Sequence, residues 1–135
     1  MRNIPLFLAL SSVVFCTSVF AFADAQCDAI NATWHGTQRQ PEFLTNGTFL
    51  GVCYINVTVQ AEEENGVVIF NGQQNSLQGC TFKANVNMTS FSYSGSCNNG
   101  ALSLQPDDMN GGIIGNQMVV NGDVQGQAAG LNLNK

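Results

Sequence analysis

Basic side chains are scarce in this chain: four lysines and arginines stand against nine acids in 135 residues. That scarcity removes the electrostatic footprint needed to hold phosphate-rich partners, so neither nucleic acid nor an anionic lipid surface is an expected ligand. Histidine occurs once, as His35, and no nucleophile-elbow motif is present. A histidine base needs a nucleophile beside it and an acid to orient it. His35 therefore reads as a solvent-facing strand residue rather than the base of a hydrolase, and the chain is read as non-enzymatic. No two cysteines have the close spacing of a four-cysteine zinc site. The acidic clusters Glu62-Glu63-Glu64 and Asp107-Asp108 with Asn110 lack the alternating ligand spacing of a calcium loop, so they read as solvated turns. No metal or cofactor is expected.

Residues 1–25 have the pattern of a secretory signal peptide: Arg2, an apolar run from Ile4 to Phe22, and small residues at Ala21, Ala23 and Ala25. Cleavage after Ala25 is expected, with Ala23 as the neighbouring alternative. Cys16 follows Phe15 where a lipid-attachment site needs a small residue, so it is not read as an anchor. No stable membrane insertion is expected after the leader is removed. The remaining 26–135 form one domain carrying eight acids and three bases, a net charge of −5. Its four cysteines, Cys27, Cys53, Cys80 and Cys97, are an even set in an exported domain and predict two disulfides and a secreted, periplasmic or extracellular location.

Helical periodicity is missing too, and alternation of apolar and polar residues replaces it. Ile30, Ala32, Trp34 and Gly36 alternate with Asn31, Thr33, His35 and Thr37. Phe49, Gly51, Cys53, Ile55, Val57 and Val59 oppose Tyr54, Asn56, Thr58 and Gln60. The acidic tip 62–66 ends in Asn65-Gly66, a pair suited to a tight hairpin turn. A strand 67–70 follows, with a second turn expected at Asn71-Gly72. Strands are then expected over 80–88 and 91–97, and shorter ones at 101–104, 113–120 and 128–133. The sum is an all-β fold of about eight antiparallel strands. A closed up-and-down barrel removes exposed edges and is favoured over a two-sheet β-sandwich. A parallel β-helix is disfavoured because no repeat period is found.

A hairpin centred between Met88 and Thr89 would set Cys80 opposite Cys97 at a close, non-hydrogen-bonded pair. That predicts Cys80–Cys97, and by elimination Cys27–Cys53.

The opening Asn31-Ala-Thr-Trp34-His-Gly36, a tryptophan in the first strand followed by successive antiparallel strands, resembles the calycin barrels such as lipocalins and avidins. The resemblance implies a small barrel. It departs from the avidin pattern in having no tryptophan other than Trp34, and no ligand residue is carried over. Trp34, Phe49, Phe70, Phe82, Phe91 and Tyr93 either fill the core or line a cavity for a small apolar ligand. Four N-x-T sequons, at Asn31, Asn46, Asn56 and Asn87, are acceptors only if the host glycosylates its exported proteins. The expected function is a secreted binding module, inhibitor-like or directed at a host or surface, acting on a protein partner through loops 62–66 or 106–112. A lumenal carrier of an apolar ligand and a structural envelope or matrix component are the alternatives.

Overall fold

The computed structural model describes residues 26–135, so the leader reading lies outside the described residues. Eight strands follow in order: β1 Ala32–Phe43, β2 Phe49–Glu64, β3 Val67–Cys80, β4 Ser90–Asn98, β5 Ala101–Gln105, β6 Met109–Ile114, β7 Gln117–Val124 and β8 Gln127–Asn134. Each pairs antiparallel with its sequence neighbour, and β8 returns to β1 with Gly36 opposite Leu133 and Gln38 opposite Leu131. The sheet is a closed meander barrel. Alternation is the cause: Trp34, Cys53, Ile55, Val57, Val59, Val68, Phe70, Leu102, Leu104, Val120, Leu131 and Leu133 point inward and are buried, with polar residues between them.

Of the two-residue turns, Gln125-Gly126 lies at one end of the barrel and 65–66, 99–100 and 115–116 lie at the other. Asn65-Gly66 and Asn99-Gly100 both have two successive residues at positive φ, at 54° and 83° and at 53° and 82°, the backbone of a type I′ hairpin turn. This end is sealed by residues 26–30. Ile30 is fully buried there, the Trp34 indole N–H donates to its carbonyl at 2.9 Å, and Cys27 is bonded to Cys97.

The opposite end is built differently. The β1–β8 ladder ends at Arg39 opposite Gly130, where the two strands part, and β3 outruns β4 beyond Gln73. Residues 40–43, 49–56 and 74–80 therefore stand above the barrel as a three-stranded projection, clamped by a Cys53–Cys80 disulfide between directly paired residues. Residues 81–89 form a strap that returns from the top of β3 to the start of β4.

Both disulfides differ from the expected pairing, and strand length is the reason. Ala32 pairs with Ala61, so Cys27 enters at the sealed end, while Cys53 lies eight residues up β2, about 26 Å away. Asn71-Gly72 is not a turn; β3 runs through it and carries Cys80 to the far end, whereas the Cys97 N–H donates to the Gly66 carbonyl at the sealed end. The strand expected over 80–88 does not form a ladder. Its alternation survives as burial, with Phe82, Ala84, Val86 and Met88 half-buried and the residues between them exposed. Gly72 has a packing role instead, because the Phe91 ring occupies the space a Cβ there would need. The strand expected over 113–120 is the end of β6, a turn at Gly115-Asn116 and the start of β7.

Candidate functional site at the open end of the barrel

Between the projection, the strap and the 106–108 turn lies a cavity of about 260 Å³. It is lined by Gln38, Arg39, Gln40, Pro41, Gln74, Thr89, Phe91, Tyr93, Asp107, Val124 and Ala129. Inward positions on β1 and β3 that would continue the apolar core hold glutamines here, and Gln38 and Gln74 are only 6% and 5% exposed. Such groups are tolerated inside a barrel only when they are hydrogen-bonded.

Gln74 is the hub. Its amide nitrogen donates to Gln38 Oε1 at 2.7 Å and to Gln40 Oε1 at 2.8 Å. Its oxygen accepts from the Thr89 N–H and the Thr89 hydroxyl, both at 3.2 Å, which ties the strap to the barrel wall. Gln40 in turn donates to Glu42 at 2.8 Å. Next to this group the Tyr93 hydroxyl donates to Asp107 Oδ2 at 2.9 Å, joining β4 to the 106–108 turn. Burial, then the hydrogen bond and charge of Asp107, push the Tyr93 phenol well above the usual tyrosine range. A phenol held protonated beside a carboxylate is a structural pair, not a general base. Arg39 donates to the Ala128 carbonyl and the Tyr54 hydroxyl and lies over the Tyr54 ring. The chemistry of the mouth is that of a polar plug.

The aromatic residues named from the sequence do not form one cavity. Trp34 and Phe70 are fully buried in the filled core, and Phe91 with Tyr93 borders the polar mouth, their rings 5.8 Å apart. Phe82 packs on the strap side against Gly51. Phe49 lies outside, 40% exposed, with its ring 5.6 Å from that of Phe43. Around it Leu44 and Leu50 are also exposed, and Leu50 is the extra residue where the β1–β2 ladder shifts register. The tip of the β1–β2 hairpin is thus an apolar cluster with no charge between Phe43 and Glu62. The sequence pattern places Phe49 with the inward residues, core-filling or cavity-lining, because alternation does not show where a strand leaves the barrel.

The two loops proposed for recognition lie at opposite ends. Residues 62–66 flank an outer groove of about 520 Å³ at the sealed end with Asn31, Val67 and Ile69, while 106–112 begin at the mouth. His35 is exposed, and its Nδ1 lies 3.4 Å from Thr58 Oγ1. No group of three or more possible metal ligands occurs among the described residues. Of the sequon asparagines, Asn31 accepts from the Glu63 N–H and donates to the Glu63 carbonyl, and Asn56 donates to Ser76. Asn46 caps the hairpin tip by accepting from the Thr48 N–H, and Asn87 is exposed on the strap.

No family model, curated protein or solved structure matches the chain.

Proposed function

We propose that this chain is an exported, non-enzymatic binding module that engages a macromolecular partner with the open end of its barrel. The observation that carries the reading is the contrast between the lumen and the hairpin tip. The lumenal side chains are buried, which favours a packed core over a carrier's cavity, while Leu44, Phe49 and Leu50 are held in solvent on a disulfide-clamped projection. Large apolar side chains clustered on an uncharged tip are the usual mark of a contact surface. Two disulfides support export to an oxidising compartment, in keeping with a cleaved leader over residues 1–25. No helix among the described residues is long and apolar enough to cross a membrane.

A photo-crosslinking residue placed at Thr45, with the same residue at Asn116 on the sealed end as control, tests the reading in the native secretion or on the native surface. A discrete adduct from position 45 is expected, absent from position 116 and lost when Phe49→Ser and Leu50→Ser are added. No adduct from position 45, or equal adducts from both ends, would sink the proposal.

A further inference from the structure

A closed barrel has no free strand edge except where one strand outruns its neighbour. β3 does so on the side facing β4. The ladder ends at Gln73 opposite Ser90, and the Gln74 N–H goes to the Thr89 carbonyl. Among the described residues, 75–79 have backbone pairing to β2 alone. The strap leaves most of them open, for Asn75, Ser76, Leu77 and Gln78 are all exposed, Leu77 by 39%, and Gly79 is half-buried.

The two edges of the projection are unlike. Residues 40–43 of β1, beyond the end of the β1–β8 ladder, carry Pro41 and Glu42, and a proline with a charge blunts an edge against pairing. The β3 edge has neither. No charged residue occurs anywhere from Asn65 to Phe82, nor from Gly51 to Ala61 on the adjoining strand.

We propose that this edge is a self-association surface: two copies of the chain pair antiparallel along residues 75–79, about a two-fold axis near Leu77. Identical strands paired antiparallel are self-complementary, since every donor offered by one copy meets the matching acceptor of the other. A neutral edge selects no partner of opposite charge. On a molecule of charge −5, two copies can meet at this uncharged edge without facing carboxylates. The ladder between β2 and β3 shifts register next to Asn75 and next to Gln78. Such bulges bend the edge, keep the pairing short and make the association reversible. Because the contact is isologous and the other edge is blunted, it closes at two copies rather than growing into a fibre.

Sedimentation velocity of the disulfide-intact protein, from micromolar to millimolar concentration, tests this. A reversible monomer–dimer equilibrium is expected. It should weaken by about tenfold or more in Leu77→Lys, which sets like charges across the axis, and be unchanged in Ile114→Lys at the sealed end. Amide exchange in residues 75–79 should slow as concentration rises. Gln78→Lys serves if Leu77→Lys lacks the native near-ultraviolet dichroism. A monomer at every concentration, an association that survives the β3 lysine or is lost with Ile114→Lys, or open-ended assembly would each overturn the proposal.

Discussion

Tyr93 shows how one inward residue serves both the wall and the end of the barrel. Its ring lies in the core, and its hydroxyl fastens the 106–108 turn through Asp107. Because burial and the carboxylate favour the protonated phenol, the folded state holds this proton more tightly than the unfolded chain. The stability gained is complete below the ordinary tyrosine range, about pH 10, and is lost as pH rises through it toward the folded-state value. Urea unfolding at mildly alkaline and strongly alkaline pH should show this decline in the native protein. Tyr93→Phe should reduce the decline, while costing about 1–3 kcal/mol at neutral pH through the lost hydrogen bond to a charged acceptor. An undiminished alkaline decline in the variant would place its origin elsewhere. Gln74 was not legible as a hub, since a glutamine on an alternating strand looks the same whether it faces water or a buried neighbour. The only sign was its position, two residues beyond Gly72 on the inward side.

At the scale of the element, the strap departs most from its sequence. Residues 80–88 alternate as well as any strand in the chain, yet beyond Cys80 they cross the mouth without a ladder because β3 gives its first half to β4 and its second half to β2 alone. Burial periodicity was readable; the partner was not, because pairing depends on where β3 ends, and β3 passes through the expected turn at Asn71-Gly72. Unladdered backbone opens more readily than a barrel strand. Trypsin should therefore cut first after Lys83, exposed on the strap, and leave a nicked chain that keeps its far-ultraviolet dichroism and stays joined through Cys27–Cys97. Mass spectrometry under native and reducing conditions reads both results. First cleavage at Arg39, which lies within β1, would instead mean that the wall opens before the strap. The Asn65-Gly66 turn, in contrast, was legible to the residue, since its two positive φ values are what that dipeptide supplies best.

For the whole molecule, the strand count and all-β class were legible, and the expected barrel closure is found. The disulfides were not, because both cross distances in the fold that are invisible in local spacing. Cys27–Cys97 spans 70 residues and Cys53–Cys80 spans 27. In the chain-entropy model they contribute about 4.4 and about 3.5 kcal/mol. Paired serine replacement of Cys27 and Cys97 should therefore lower the unfolding midpoint further than the same replacement of Cys53 and Cys80. The latter should act chiefly on the projection and its hairpin tip. Equal losses from the two double variants would contradict that division.

The sealed end also receives both ends of the described chain: residues 26–30 cap it, and Lys135 follows β8 there, its ammonium 5.4 Å from the Trp34 ring centre. A fusion domain, affinity handle or solid support attached at either end would thus lie a full barrel length from the strap and the apolar tip. The fold can be displayed on a scaffold with its recognition end outward, and a short peptide joining residue 135 to residue 26 would make a circular permutant whose new ends could be opened elsewhere.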